Sequence, residues 1–313
     1  MGREAVIEGK TEDLPAAAVR FSIVILTYAR DDALALTLDR LRWALAGRGD
    51  VEVILVDNNV DDRDRTSMIA DFTHHRLVRT GSNKGVSARN DGMDVAVGEW
   101  LVLLDDDVLI ETQGFLDIFA SVFDTQPKVG VVNVQKLDSK TMTLLPECVP
   151  HTRKSIDTSA PFETFRFIGG LVAMRRVVHG ALGGFSPDFF YGAEEREYSY
   201  RIIKAGWKIY YSPDVVAIET NHEGGRKPRA QLRTETLLNT YIIAFLHKSW
   251  PVLVADVTLF TVFLWIKERG QIDVGSALRR FHAWLKRPDR ARRQPMTQAA
   301  VDYIRACGGA TWR

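Results

Sequence analysis

The chain of 313 residues carries 41 lysines and arginines against 40 aspartates and glutamates. This length allows one large or two modest domains, and the balanced charge points to neither a nucleic-acid-binding protein nor an acidic tail. The two cysteines, Cys148 and Cys307, lie far apart and form no C-x-x-C pair. We therefore expect no nucleic-acid partner, no disulfide framework, no cysteine zinc site, and a reducing cytoplasmic setting.

The first twenty residues, MGREAVIEGKTEDLPAAAVR, are polar and acidic. A signal peptide needs an apolar segment at this place, so we expect no export by that route and a catalytic part that stays in the cytoplasm. We interpret residues 1–20 as an N-terminal extension.

Short runs of β-branched and aliphatic residues alternate with segments of helical periodicity over the next hundred residues. The runs are FSIVILT (21–27), VEVILVD (51–57), HRLVRT (75–80) and WLVLLD (100–105). This alternation predicts an α/β fold with a mostly parallel sheet flanked by helices. Because ligands bind beyond the carboxyl ends of such strands, polar residues at those ends are expected to share one rim.

Two common nucleotide-binding motifs are missing from the sequence. The turn after the first strand reads LTYARDD, without the glycines that a dinucleotide-binding Rossmann unit needs there. No G-x-x-x-x-G-K-[ST] loop occurs either, which argues against a P-loop NTPase.

Three consecutive aspartates, Asp105–Asp107, end the fourth strand. Three like charges repel one another, so a cation is expected beside them. If the strand continues, Asp105 and Asp107 point the same way, and two carboxylates suit Mg²⁺ or Mn²⁺ bridging a diphosphate. The alternative is a solvated loop with helix-capping aspartates, which the apolar strand before it disfavours.

A second acidic cluster, Glu194-Glu195-Arg196-Glu197, begins a predicted helix. Glu197 and Arg201 have the i,i+4 spacing of an ion pair, which leaves Glu194 or Glu195 for chemistry. A histidine, His222, follows the predicted strand VVAIET. From spacing alone, a single histidine is more often structural than a metal ligand.

The ordered set FSIVILTYAR, VEVILVDNN, NKGVSARNDGMDVAVGEWLVLLDDD and GGFSPDFFYGAEEREYSYRIIKAGWKI, followed by His222, resembles the family-2 glycosyltransferases with the GT-A fold. The DNN resembles the rhamnosyltransferase-like members. The resemblance covers most of residues 21–222. It implies inverting, metal-dependent sugar transfer from a nucleotide diphosphate with Mn²⁺ or Mg²⁺ as cofactor. Since the Q-x-x-R-W signature of processive synthases is missing, we expect one sugar added per encounter.

The resemblance also assigns roles to residues. Glu195 stands where the family has the aspartate that serves as general base, and its extra methylene leaves Glu194 as a rival. Asp105 and Asp107 are the ends of the D-x-D motif and metal ligands, with His222 as a further ligand. The implied nucleotide-sugar-binding residues are Thr27, Tyr28, Arg30, Asp57, Asn58, Lys84, Arg89, Asp105 and Asp106.

The resemblance and the element pattern together predict a domain layout. After the extension, residues 21–225 form the GT-A catalytic domain, with a nucleotide-binding half (21–110) and an acceptor-binding half (111–225). Residues 226–313 form a C-terminal helical region. Ala29 departs from the family pattern, since an asparagine is common there.

The C-terminal region combines an apolar segment with a basic one. WPVLVADVTLFTVFLWI, residues 250–266, is interrupted by Asp256 and is barely long enough to cross a bilayer. Seven lysines and arginines between Ser276 and Pro295 face only Asp289. We interpret 250–295 as a peripheral contact with the cytoplasmic face of the inner membrane. The alternative is packing on the catalytic domain or on a second subunit, so the oligomeric state stays open.

The predicted activity is therefore transfer of a sugar from a UDP- or dTDP-sugar to a hydroxyl acceptor, a glycan or lipid-linked envelope precursor. A nucleotidyltransferase is a second enzyme class with a similar sheet, but its glycine-rich loop is missing. The alternative from another class is a catalytically silent nucleotide- or glycan-binding membrane adaptor.

Overall fold

Strands and helices alternate along the first half of the chain, as the sequence predicts. The computed structural model of the protein describes residues 6–8, 19–153, 155–220 and 229–310. The strands in these ranges are β1 (Val6–Glu8), β2 (Phe21–Thr27), β3 (Val51–Asp57), β4 (His74–Arg79), β5 (Trp100–Asp105), β6 (Val108–Ile110), β7 (Val129–Asp138), β8 (Phe162–Thr164), β9 (Leu171–Arg175) and β10 (Lys208–Glu219). The helices are α1 (Asp31–Ala44), α2 (Arg89–Val95), α3 (Phe115–Thr125), α4 (Arg176–Leu182), α5 (Glu194–Lys204), α6 (Arg229–His247), α7 (Trp250–Lys267), α8 (Val274–Leu285) and α9 (Gln298–Ala306).

One sheet runs through the molecule in the order β1-β4-β3-β2-β5-β9-β7-β10-β6, and β8 pairs with β10. The longest ladders are parallel: β2 pairs with β3 and β5, β3 pairs with β4, and β7 pairs with β10. β9 runs antiparallel between β5 and β7. The predicted mostly parallel α/β sheet is confirmed.

Successive residues of β2 serve two separate apolar cores. Ile23 and Ile25 belong to the core that α1 and α3 cover, whereas Val24 belongs to the core that α2, α5 and α6 cover. Side chains alternate across a strand, so a strand buried on both faces must be apolar nearly throughout. This is why the β2 run of the sequence shows no polar alternation.

The chain turns at the three aspartates. β5 ends at Asp105, the next two residues form a turn, and β6 begins at Val108. β6 then leaves β5 and pairs antiparallel with the end of β10. The expectation that Asp105 and Asp107 point the same way assumed a continuous strand, and that assumption was wrong because this change of partner requires a turn.

Helix α7 lies on the outside of the C-terminal region. Among the helices of the described ranges, it is the one long and apolar enough to cross a membrane by length and composition, with mean hydropathy 1.5 and 11% of it buried in the protein. Asp256 faces inward and forms an ion pair with Lys248, where α7 follows α6. Leu259, Phe263 and Ile266 are exposed. Leu264 is buried and Phe260 packs against the same core, so α7 packs on the protein along one face and exposes the other.

Candidate active site

The ends of β2 and β5 meet at Asp106. Its Oδ2 accepts a hydrogen bond from the Thr27 hydroxyl at 2.8 Å, and its Oδ1 accepts one from Arg30 at 3.2 Å. The same Arg30 Nη1 donates to Oδ2 of Asp107 at 2.8 Å. Asp106 is buried, and burial raises the pKa of its carboxyl to about 6 despite the Arg30 guanidinium. Arg30 therefore holds the turn after β5 against the turn after β2.

Asp105 forms an ion pair with Arg89 of α2, and the Arg89 side chain is almost completely buried. The backbone of Asp107 is fixed from the other side, since Thr220 donates to its carbonyl through the amide at 3.0 Å and through the hydroxyl at 2.8 Å. The aspartates thus lie between β2, α2 and the end of β10. Each predicted metal ligand of the turn has an arginine partner.

The carboxylates of Asp105 and Asp107 are hard oxygen donors, which Mg²⁺ and Mn²⁺ prefer, and a cation bridging a diphosphate needs few protein ligands. The chemistry of these two carboxylates fits such a cation, and Asp105 and Asp107 would be the residues to hold it. Within the described residues, no group of three or more His, Cys, Asp or Glu side chains could hold a metal ion. His222, the further ligand predicted from the resemblance, lies outside the described residues.

Asp57 and Asn58 are buried at the end of β3. Asp57 accepts hydrogen bonds from Asn59 and forms an ion pair with Arg65 at 3.1 Å. Asn58 accepts from the Lys84 amide at 2.9 Å and donates to Asn83. Asp57 and Asn58, the two predicted nucleoside contacts, therefore also hold the neighbouring loops in place from the interior.

Tyr28 is the most open of the predicted nucleotide contacts, with 37% of its surface exposed. The next residue, Ala29, has φ +56°, a left-handed conformation that an asparagine adopts at lower cost. The Ala29 amide donates to the Asn59 side chain at 2.7 Å. Lys84 pairs with Asp91 of α2 at 2.6 Å. The hydrogen bond from the Ala29 amide to Asn59 joins the turn after β2 to the loop after β3.

The second acidic cluster begins α5 as predicted, and Glu197 pairs with Arg201 one turn later at 2.9 Å. Glu194 is buried, and burial together with the neighbouring Glu195 raises its pKa to about 8. Burial also raises the pKa of Glu195, although the Gly169 amide donates to its Oε1 at 2.6 Å. Glu195 Oε2 has no hydrogen-bond donor among the described residues, whereas Oε2 of Glu194 is buried without one.

The Gly169–Gly170 pair joins the two acidic clusters. The Gly169 amide binds the Glu195 carboxylate, and the Gly170 carbonyl accepts a hydrogen bond from the Asp105 amide at 2.8 Å. A β-carbon at Gly169 would lie 2.4 Å from Glu195 Oε1, so a side chain there would displace the carboxylate. Arg89 is near enough to lower the pKa of both glutamates. The two clusters therefore belong to one crevice.

A cleft of about 220 Å³ opens beside Glu195. Its other walls come from the segment before β9, from α5 and α6, and from Phe260 of α7. The Arg166 and Arg196 side chains line it, and burial together with the Arg196 charge lowers the pKa of Arg166. Residues of α6 and α7 thus complete the wall of a cavity that Glu195 lines on its other side.

The sequence analysis did not identify two buried charged residues of this crevice, Arg65 and Lys136. Arg65 is buried and forms ion pairs with Asp31, Asp57 and Asp61, although it lies in a polar loop of ordinary composition. Lys136 is buried below the glutamate pair and lowers the pKa of Glu195. The doubled glycine before β9 was the one visible signal, because adjacent glycines often mark a close backbone approach.

The comparisons with known proteins agree with this architecture. The chain is similar to N-acetylglucosaminyl-diphospho-decaprenol L-rhamnosyltransferase of Mycobacterium tuberculosis (strain ATCC 25618 / H37Rv), with 23% identity over 264 residues, 73% of this chain and 85% of that protein. Mannosyltransferase PcManGT from Pyrobaculum calidifontis, solved with GDP-Man and Mn²⁺, superposes with a TM-score of 0.57 at 20% identity, covering 92% of this chain and 84% of that one. S. aureus TarS 1-349, solved with UDP-GlcNAc, has a TM-score of 0.53 at 15% identity, covering 72% and 66%.

These structural neighbours share the GT-A fold of glycosyltransferases, so the predicted fold class is confirmed. The family model of glycosyl transferase family 2 matches residues 22–183, and the chain belongs to that family. The prediction of a sugar-transferring enzyme is thereby confirmed as well.

Proposed function

We propose that the protein is an inverting, metal-dependent and non-processive transferase that moves a sugar from a UDP- or dTDP-sugar to a hydroxyl of a glycan or lipid-linked envelope precursor. The observation that carries the proposal is the single crevice in which Glu195 and the Asp105–Asp107 turn are joined through the Gly169–Gly170 pair. A base and a site for the leaving diphosphate are the two elements that direct displacement requires.

In this proposal, Glu195 Oε2 accepts the proton of the acceptor hydroxyl while the acceptor oxygen bonds to the anomeric carbon. The bond from that carbon to the nucleoside diphosphate breaks in the same step, which inverts the configuration. The raised pKa makes Glu195 a stronger base than an ordinary carboxylate. Gly169 holds the other oxygen, so the free one stays directed at the acceptor. The buried Glu194 Oε2 makes Glu194 the poorer candidate for this role.

A bound Mg²⁺ or Mn²⁺ would stabilise the negative charge that develops on the departing diphosphate. Asp105 and Asp107 would hold it, while Tyr28, Arg30, Lys84 and Arg89 would bind the nucleotide. Thr27, Asp57, Asn58 and Asp106 would position those contacts from the interior, since all four are buried. The nucleotide-sugar ligands in PcManGT and TarS support a donor of this kind.

The acceptor part of the proposal is supported by the mycobacterial relative, whose name specifies a lipid-linked acceptor. The exposed apolar residues of α7 and the basic residues of 276–295 suit a peripheral contact with an anionic bilayer. We therefore propose residues 21–225 as the catalytic domain and 226–313 as a region that brings it to the cytoplasmic face of the inner membrane.

The donor and the metal are tested by thermal unfolding with UDP, dTDP, GDP and CDP, each with and without Mn²⁺ or Mg²⁺. A ligand that binds only the folded state stabilises it by about 2.7 kcal/mol at a hundred times its Kd. We expect one uridine or thymidine diphosphate to raise the melting temperature when the cation is present, and Asp107→Ala to remove the cation-dependent part. A cation-independent shift of equal size in both proteins would contradict the metal assignment.

The membrane contact is tested by flotation with vesicles of phosphatidylcholine and phosphatidylglycerol. We expect the full chain to float and Phe263→Asp to reduce the floating fraction, because a charge replaces an apolar side chain on the exposed face of α7. Val177→Asp is the matched control, since Val177 is equally exposed but lies on α4. Equal flotation of all three proteins would place the contact elsewhere.

A further inference from the structure

The cleft beside Glu195 holds more positive charge than the protein itself neutralises. Arg166 and Arg196 both line it, and Glu195 is the one carboxylate among its described lining residues. The Arg196 charge lowers the pKa of Arg166, so the two guanidinium groups repel each other. No ion pair joins either arginine to a carboxylate within the described residues.

The hydrogen bonds of these arginines leave donors unused. Arg166 donates through Nη2 to the carbonyls of Val149 and His151, and Arg196 donates through Nη2 to the Thr240 hydroxyl at 3.1 Å. The Nε of each is buried without an acceptor, and neither Nη1 has an acceptor among the described residues. Because the Nε atoms are buried, the Nη1 groups are the donors that the oxygens of a phosphate group in the cleft could reach.

We propose that this cleft binds a phosphate-type anion of the acceptor, held by Arg166 and Arg196 beside the base Glu195. This inference rests on the proposed function and specifies its acceptor as a molecule with a phosphate or diphosphate close to the reacting hydroxyl. The anion balances the charge of the two arginines. Phe260 of α7 lines the same cleft, so an apolar chain on that anion would leave along the exposed helix.

The test titrates inorganic phosphate into the full chain that has been saturated with UDP and Mg²⁺, at constant ionic strength, and follows binding by calorimetry. Nucleotide in the donor site prevents phosphate from binding there, and constant ionic strength removes general screening. We expect saturable phosphate binding whose Kd rises about tenfold in Arg196→Gln, because charged hydrogen bonds are lost. Arg166→Lys is the second variant and is expected to weaken binding in the same direction.

Arg305→Gln is the matched control, since Arg305 is exposed on α9 and does not line the cleft. Its phosphate Kd should equal that of the unmodified protein, and all three variants should keep the thermal shift given by UDP and Mg²⁺. A tighter Kd for a short-chain phosphatidic acid than for phosphate identifies a lipid-borne phosphate, and equal values identify the phosphate alone.

The proposal is overturned if phosphate does not bind saturably, or if Arg196→Gln and Arg166→Lys bind it as tightly as Arg305→Gln does. It is also overturned if both variants lose UDP affinity in parallel, which would assign the arginines to the donor. A failure of UDP to bind any of the proteins counts against the proposed donor alone. The difference between Arg196→Gln and Arg305→Gln then still tests the cleft, because phosphate bound at the donor site would not depend on Arg196.

Discussion

The donor end and the acceptor end of the crevice treat charge in opposite ways. At the donor end, Asp106 and Asp107 share Arg30, and Asp105 pairs with Arg89. At the acceptor end, two arginines face a single carboxylate, Glu195, and hold unused donors. The donor end therefore keeps an excess of negative charge, with three carboxylates against two arginines, whereas the acceptor end keeps an excess of positive charge.

Under the proposed assignment, this difference would let one crevice bind two anionic ligands at separate ends. An excess of negative charge favours binding of a cation, and the bound cation would then attract the diphosphate. An excess of positive charge favours binding of an anion without a cation. The two ends can be tested separately by substitutions that change one balance and leave the other intact.

The largest effect is expected from Glu195→Gln, which removes the proposed base but keeps the shape of the side chain. General-base catalysis contributes about 10²–10⁴-fold, so we expect kcat to fall by that factor. The UDP-dependent thermal shift should be unchanged, because the donor end is intact. Initial rates and thermal unfolding of the same preparation measure both.

Glu194→Gln is the matched control for that experiment. Its carboxylate is buried with Oε2 unpaired, so we expect a much smaller fall in kcat. If Glu194→Gln abolished transfer while Glu195→Gln kept it, the assignment of the base would have to be exchanged between the two residues.

The support of the donor end is tested by Arg65→Gln. Arg65 is buried and pairs with the buried Asp57, so its removal leaves a carboxylate without its charge partner. We expect the free energy of unfolding to fall by about 3–5 kcal/mol, as for other broken buried pairs. Urea unfolding followed by circular dichroism measures the change.

Arg63→Gln is the matched control, since Arg63 also pairs with Asp31 but 70% of its side chain is exposed. Exposed pairs contribute about 0–1 kcal/mol, so we expect almost no change. An equal loss of stability in the two variants would mean that the Asp57 pair contributes nothing specific to the donor end.

A further expected effect is a pH dependence of stability that arises from Glu194 and Glu195. The pKa of Glu194 is about 8 in the folded protein, against roughly 4.3 in an unfolded chain. A raised folded pKa stabilises at low pH, and this contribution is lost as the pH rises through the folded value. Glu194→Gln does not titrate, so its stability relative to the unmodified protein should increase between about pH 4 and 8.

Urea midpoints of the two proteins at a series of pH values check that prediction. Glu147→Gln is the control, since it is the same substitution at an exposed glutamate. A constant difference between Glu194→Gln and the unmodified protein over this range would show that the glutamate is not desolvated.

The fold and the order of the site residues could be predicted from the sequence because they depend on local chemistry. A strand such as β2, buried on both faces, must be apolar, and polar residues can enter only where such a strand ends. Thr27, Asp57 and Asp105 therefore marked the rim. The helix that starts at Glu194 and its Glu197–Arg201 pair followed from periodicity alone.

The pairing of charges and the acceptor cleft were decided by the tertiary structure. Arg65 pairs with Asp31, 34 positions away in the sequence, and Gly169 donates to Glu195, 26 positions away. Helix and strand periodicity cannot predict contacts at such separations. The turn at Asp106 arises because β6 must leave β5 to pair with β10. The sequence by itself determined where apolar, charged and flexible residues lie along each element. Only the packing of distant elements decided which charged side chains form ion pairs within the protein and which do not.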